Sequence, residues 1–461
     1  MNTSTPDSDD PSETTAIKRP SRGMLIFTLV WAGQLVSTLG SGLTGFALGI
    51  WIYQATGSPT LFAINLLVWM LPNIAVAPLA GVLADRWERR LVMLLSDSGA
   101  GLSSLFIVVM LWSGELQVWH VYLATFFNSA FSAFQWPAYS AATSLLVPKQ
   151  HLGRAGGMTQ VGEAISELAT PAIAGALFVT AGLPAILLID IASYLVALAT
   201  LLAVRFPRPK ATEEGQASQG SFWREAFYGW TYIRQRPGLL GLLSVFASLN
   251  FLLSLTYPLL TPMLLEMSSP DMAGYIASIG GLGMLVSTAA MSAWGGPRRR
   301  IYGIAAAEML AGAFALLLGL RPELPLIAAG CFGMMLVLPV SSACSQAIWQ
   351  SKVAQDVQGR VFAMRRMLAF SVMPLAYLLA GPLAEGVFEP HMAPGGRLAA
   401  LLGPVTGVGP GRGMGVMFVC AGALYTLVAA LILLLPRIRR VEFELPDAIG
   451  ENGDERANGL E

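Results

Sequence analysis

Twelve runs of apolar residues, each close to or longer than the roughly 20 residues a helix needs to cross a bilayer, leave this 461-residue chain few ways to fold. They are Met24–Tyr53, Leu61–Leu83, Leu91–Trp112, Val118–Val147, Gly157–Ala181, Pro184–Val204, Leu239–Leu265, Met272–Trp294, Ile301–Leu320, Leu324–Trp349, Val361–Phe388 and Gly413–Leu435. The first and fourth exceed one bilayer thickness and must tilt or protrude. Composition agrees: 54% of residues are hydrophobic and 12% charged, where a soluble domain carries about 25% charged. Mean hydropathy is +0.61. The sequence is that of an all-α polytopic membrane protein with twelve transmembrane helices.

Charge sets the expected orientation. Of the 28 Lys and Arg, only Arg321, Arg397 and Arg412 fall in the loops that would lie outside if both termini are cytoplasmic. The others sit in the tails and in every second loop, which is the bias that holds loops inside. Net charge is zero, so nothing suggests nucleic acid as a partner. Cys331, Cys344 and Cys420 all lie in apolar runs, against a disulfide framework or a metal cluster. The acidic start (Asp7, Asp9, Asp10, Glu13) is unlike the basic n-region of a cleaved signal, so the first run is expected to stay as a span.

The chain divides into a cytoplasmic tail 1–23, six spans over 24–204, a cytoplasmic segment 205–238, six spans over 239–435 and a polar tail 436–461. Pro207–Gly220 reads as a flexible linker. Phe222, Trp223, Phe227, Trp230 and Ile233 then recur at helical spacing, as an amphipathic helix on the inner membrane surface or one packed on its own bundle. Glu389–Arg412, rich in Gly and Pro, reads as irregular, and the tail beyond Pro436 as disordered.

The Gly81–Arg90 turn, Gly-Val-Leu-Ala-Asp-Arg-Trp-Glu-Arg-Arg, joins spans two and three. Arg86, Arg89 and Arg90 belong on the cytoplasmic side. Asp85 is placed to pair with them or to face a helix N-terminus, and Gly81 permits close backbone approach. The turn is echoed between spans eight and nine by Gly-Gly-Pro-Arg298-Arg299-Arg300. Gly153-Arg154 between spans four and five is likewise echoed by Gly359-Arg360 between ten and eleven. An acid follows each basic turn about two helical turns later: Asp97 and Glu308. Shared landmarks in two six-span halves imply two similar bundles with a site between them near the midplane.

Gly81-x-x-x-Asp85-Arg86-x-x-Arg89-Arg90 between the second and third of twelve spans resembles the loop signature of major facilitator superfamily transporters, with Glu88 where that family usually has Gly. Gly33-Gln34-Leu-Val-Ser37-Thr-Leu-Gly40, Phe46-Ala-Leu-Gly-Ile-Trp51, Gln135-Trp-Pro137-Ala-Tyr-Ser140, Asp190-Ile-Ala-Ser193-Tyr194 and Gln358-Gly-Arg360-Val-Phe362 are similar to the bacterial macrolide-efflux and enterobactin-exporter group. The resemblance implies a bacterial inner-membrane exporter, two pseudo-symmetric six-helix bundles, and a cavity lined by spans one, four, seven and ten. Span four lacks the Arg that drug/proton antiporters of this family often carry, and the span-five Gly-Pro signature is reduced to Thr170-Pro171-Ala-Ile-Ala-Gly175.

An ionisable group inside a span is costly and marks a functional candidate. Glu163 and Glu167 lie four apart on one face of span five with no basic residue inside it. They could take up and release protons, or Glu163 could pair with Arg154 or Arg86. Asp190 in span six could relay protons or bond Ser193 or a neighbouring backbone group. Asp97 and Glu308 are expected to pair with the basic turns, making with Gly81, Asp85, Arg86, Arg89 and Arg90 a cytoplasmic latch. Arg365 and Arg366 are read as headgroup anchors or part of the same latch. Cavity candidates are Gln34, Ser37, Thr38, Asn128, Gln135, Trp136, Asn250, Tyr257, Gln346 and Trp349, an apolar wall with a few hydrogen-bonding groups that suits a bulky amphipathic molecule; many of these side chains could instead tie helices together. Trp119 and His120 look interfacial. Pro137, Pro258, Pro262, Pro339 and Pro374 are candidate kinks.

The reading is a monomeric secondary transporter, exporting small amphipathic organic molecules in exchange for protons by alternating access. It needs no cofactor or metal, and the absence of a phosphate-binding Gly-x-x-x-x-Gly-Lys-Ser/Thr loop argues against direct ATP coupling. The alternatives are an importer on the same fold and a membrane-bound lipid-modifying enzyme; against the latter, His120, His151 and His391 are scattered and no nucleophile–base pair appears.

Overall fold

The computed structural model describes residues 22–147, 152–204, 229–353 and 358–444. Within them the side chains of 77–86, Trp136, Pro137, 152–154 and 358–360, among others, lie outside the description. Gly81, Asp85, Arg86 and Trp136 are therefore known only as members of their helices. The N-terminal tail, the linker with Phe222, Trp223 and Phe227, and the tail beyond 444 lie outside the described residues.

The first six helices are α1 (Arg22–Thr56), α2 (Pro59–Arg86), α3 (Arg89–Trp112), α4 (Val118–Leu146), α5 (Leu152–Thr180) and α6 (Gly182–Ala203). The next six are α7 in two pieces (α7a Pro237–Thr256, α7b Leu260–Met267), α8 (Pro270–Trp294), α9 (Arg300–Leu320), α10 (Leu324–Lys352), α11 in two pieces (α11a Gln358–Phe370, α11b Met373–Leu383) and α12 (Arg412–Leu434). Among the described residues, 11 helical stretches are long and apolar enough to cross a membrane. α4, with 29 residues, is another long helix, made less apolar by Asn128, Ser129, Ser132 and Gln135.

Proline acts where it removes a ladder bond that nothing replaces. Pro258 sits in the 3-10 turn Tyr257–Leu259 that splits α7. Pro374 follows the break between α11a and α11b. Pro339 in α10 and Pro171 in α5 leave their helices continuous. Beside Pro171 the Ala172 N–H donates to Ser278 Oγ of α8 at 3.0 Å, a side chain re-satisfying the local backbone.

The hydrophobic core falls into clusters that do not mix the two sets of helices. Among the described residues, two lie wholly within residues 24–204 and one wholly within 233–441. The packing repeats with a shift of six helices. α1 packs on α6 and α5, α2 on α4, and α3 on α4 and α6; α7a packs on α12 and α11, α8 on α10, and α9 on α10 and α12. The internal repeat seen in the sequence is thus a repeat of neighbours. α9 and α12 approach through glycine: a Cβ on Gly312 would lie 2.8 Å from the Thr426 nitrogen. Close backbone contact of this kind replaces hydrophobic driving force inside lipid.

Three expectations are corrected. The Glu389–Arg412 connection is largely helical, as Glu389–Met392 and Arg397–Thr406, because Arg397–Thr406 buries Ala399 and Thr406 and stops at Gly407, with φ +80°. The start of the C-terminal tail is ordered as Pro436–Arg439 and Val441–Glu444, with Ile438 and Val441 buried against the second set of helices. His120 is buried rather than interfacial: its Nδ1 accepts the Gln117 N–H at 3.0 Å and closes a capping box on α4. Trp119 beside it is exposed. Of the two readings of the 222–233 segment, the described part follows the packed one, since Ile233 is fully buried and Trp230 leans on the same core.

Candidate functional site

The two sets of helices meet along α5–α8 and α2–α11b. Every cross-set side-chain bond among the described residues lies in the half of the molecule away from the basic turns. Tyr53 donates to Glu266 Oε1 at 2.7 Å. Ser58 Oγ and the Thr60 N–H both donate to Glu385 Oε1, at 2.6 and 2.8 Å. The Ala172–Ser278 bond joins α5 to α8 a little deeper. Backbones touch there as well: a Cβ on Gly381 would meet Thr60, and one on Gly274 would meet the Pro171 carbonyl. The deepest such contact is Gly281 against Leu168, 2.9 Å from an added Cβ to the Leu168 Cα. Toward the basic turns no further cross-set bond follows among the described residues. Among the described residues, the seam is clamped at the face away from the basic turns.

Glu167 lies beside that deepest contact, its backbone carbonyl 3.2 Å from a Cβ added to Gly281. Its side chain is exposed, within electrostatic reach of the Tyr257 hydroxyl on the opposite set of helices. Tyr257 sits in the break of α7 and is 52% exposed despite its central position. Glu163, one turn nearer the basic turns, is also exposed and within reach of Glu167 and of the Tyr139 hydroxyl. The two acids therefore look into the seam, not away from the protein.

Gln135 of α4 donates to Gln34 Oε1 at 2.6 Å, and Gln34 of α1 donates to Asp97 Oδ2 at 2.9 Å. This amide ladder leads to a buried carboxylate in α3. Glu308 of α9, the matching acid of the repeat, is 2% exposed. It accepts from Ser341 of α10, and from the Tyr425 hydroxyl of α12 at 2.5 Å. Both acids thus take uncharged partners inside their own helix set. Arg90 donates instead to the Leu201 and Leu202 carbonyls at the end of α6, at 2.8 and 2.7 Å.

Asp190 is 2% exposed and accepts from Ser41 at 3.1 Å and Ser104 at 2.6 Å, tying α6 to α1 and α3. Ser193 donates to the Asp190 backbone carbonyl at 2.7 Å. Asn250 donates to the Ala369 carbonyl at 3.1 Å, joining α7a to α11a. Arg365 donates to Gln346 and Ser345, at 3.0 and 2.9 Å, and stacks 4.9 Å from the Trp349 ring, which it helps bury. Gln346 itself is exposed, while Ser37 and Asn128 are half-buried.

A model of the Major Facilitator Superfamily matches residues 30–377. The chain belongs to that superfamily. It is a multi-pass membrane transporter, not an enzyme. Macrolide efflux protein A of Streptococcus pyogenes is 29% identical over 379 residues, 80% of this chain and 91% of that protein. The enterobactin exporter EntS of Shigella boydii serotype 4 is 28% identical over 156 residues, 34% of this chain and 38% of that one. Among solved structures, a bacterial homolog of the human lysosomal transporter Spinster, in an inward-facing and unoccupied conformation, superposes with a TM-score of 0.61 at 15% identity, covering 89% of this chain and 98% of that one. That likeness is one of fold.

Sequence reasoning passed over the clamp. Glu385 lies inside the predicted Val361–Phe388 span, and Glu266 just beyond the predicted end of span seven. The rule that flagged Glu167, an acid at membrane depth, would have flagged Glu385. Tyr53, Ser58 and Thr60 carry no such signal; only the fold brings them to the acids.

Proposed function

We propose that this transporter exports bulky amphipathic organic molecules, in exchange for protons, across the bacterial inner membrane. With both termini cytoplasmic, the Tyr53–Glu266 and Glu385 bonds lie at the outer face and hold it shut while substrate enters from inside. The observation that carries the reading is Glu167, an acid at mid-depth, exposed beside the seam and within electrostatic reach of Tyr257 across it. Among the described residues no ion pair to Glu167 is present. A carboxylate there alternates between a hydrated site and a closed one as the halves rock, the condition for proton exchange. Glu163, one turn away, shares the same seam and is a second acceptor. The relatives named for macrolide efflux and enterobactin export support the direction and the substrate class.

The cycle then has a simple form. Substrate in the seam and a proton on Glu167 compete, because either one satisfies the carboxylate that closure of the seam would otherwise bury unpaired at a cost. Proton arrival from outside releases substrate; proton loss to the cytoplasm resets the acid. Asp190 and Glu308, sealed among hydroxyl groups, serve as fixed joints within each half.

The test is transport in everted membrane vesicles with a macrolide as probe. Proton-driven accumulation inside the vesicles is expected. Glu167→Gln should abolish it and leave macrolide binding to the purified protein intact. Unchanged accumulation by Glu167→Gln would remove Glu167 as the coupling site, and uptake in the opposite direction would make the protein an importer.

A further inference from the structure

A cleft of about 730 Å³ opens on the outer wall of the second helix set, away from the central seam. Its floor is small, formed by Gly303, Ala306 and Ala307 of α9; its sides include Val337 and Val340 of α10. Tyr302, Ala306 and Leu310 follow one helical face, so the cleft runs about 12 Å along α9 at 1.5 Å per residue. At the end that meets the basic turn stand Trp294, 65% exposed, and Arg299. The Arg299 guanidinium lies 6.0 Å from the Tyr302 ring, turned over the mouth of the cleft. Arg298 beside it is exposed as well.

The matching place in the first helix set is built differently. There the turn arginine, Arg90, is spent on the Leu201 and Leu202 carbonyls of α6. In the second set the α9 N-terminus is already capped from the tail: the Arg300 and Ile301 N–H groups both donate to Glu442, at 3.1 Å each. Arg299 is thus needed neither for a helix end nor for a seam to α12. Only the chemistry of the surroundings remains to be matched. The cleft is apolar along its length, lies on a membrane-spanning helix and has a cation and an indole at headgroup level, the pattern that binds anionic lipid heads between helices on the basic side of a membrane.

We infer that the α9–α10 cleft is a binding site for one anionic phospholipid, its phosphate on Arg299 and an acyl chain lying over Gly303, Ala306 and Leu310. Charge at the mouth and an apolar trough below it fit a two-part molecule of this kind and no small soluble anion. The site is separate from the transport seam and does not depend on the coupling scheme above.

Native mass spectrometry of the full chain in mild detergent, titrated with dioleoylphosphatidylglycerol or dioleoylphosphatidylcholine, tests it. One phosphatidylglycerol should be held more tightly than any phosphatidylcholine. Arg299→Gln should weaken that lipid about fivefold, the effect of one cation at an anionic surface, and Arg299→Lys should restore it. Ala306→Trp, at an exposed position that the larger side chain can fill without entering the core, should remove it. Arg321→Gln on the opposite face should change nothing. Unaltered phosphatidylglycerol preference in both Arg299→Gln and Ala306→Trp overturns the assignment. So does displacement of the lipid by inorganic phosphate, which would make the place a small-anion site.

Discussion

Glu385→Ala should unlock the clamped face. In the structure one carboxylate oxygen of Glu385 receives both the Ser58 hydroxyl, at 2.6 Å, and the Thr60 N–H, at 2.8 Å. Bonds to a charged acceptor contribute about 1.5–3 kcal/mol each when sheltered, but Glu385 and Ser58 meet water, so about 0.5–1 kcal/mol each is the fairer figure. Two bonds lost together then move the balance between closed and open faces by about 1–2 kcal/mol, a five- to thirtyfold change in their ratio. Glu385→Gln keeps a neutral acceptor and should move it about half as far in free energy. The assay is a pair of spin labels at Glu115 and Glu323, in a background with Cys331, Cys344 and Cys420 replaced by alanine. Double electron–electron resonance should gain a longer-distance population in Glu385→Ala. A distance distribution identical to that of the parent would mean that backbone packing alone, Gly381 on Thr60 and Gly274 on Pro171, holds this face.

Other perturbations separate joints from moving parts. Glu308→Ala leaves the Tyr425 and Ser341 hydroxyls buried without their acceptor and should lower stability in a denaturant titration by about 3–5 kcal/mol; a loss below about 1 kcal/mol would show that water replaces the carboxylate. Gln34→Leu should cost about 1–3 kcal/mol by taking an amide donor from the buried Asp97, and less in an Asp97→Asn background, where a double-mutant cycle reads the coupling. Gly274→Val places side-chain atoms on the Pro171 carbonyl and should open the clamped face by the same resonance measurement; unchanged distances would mean α8 slides to accept it.

The fold was legible because lipid imposes one rule, long apolar helices, and the chain obeys it almost everywhere. The repeat was legible too, since Arg89–Arg90 and Arg298–Arg300 mark equivalent turns. What stayed hidden was partner choice. Asp97 and Glu308 sit near arginines in sequence and were expected to pair with them, yet the helix phase turns each acid inward, where hydroxyl and amide groups meet it first. Asp190 showed the same ambiguity, and Ser41 and Ser104, distant in sequence, are its carboxylate's partners. Pro171 and Pro339 carry the same chemistry as Pro258, but a neighbouring helix decides whether a proline bends or is absorbed. The ordered Pro436–Glu444 tail eluded composition because two buried side chains, Ile438 and Val441, suffice to dock so short a piece.

That tail has a bearing on how the molecule is made. The first helix set is complete when Leu201 and Leu202 meet Arg90, while the whole second set is still to be synthesised. The second set stays unfinished until Glu442 emerges and reaches back to the amides of Arg300 and Ile301. The half that carries both broken helices is therefore the half that must wait, its ninth helix held open at one end until Glu442 has been added and has folded back.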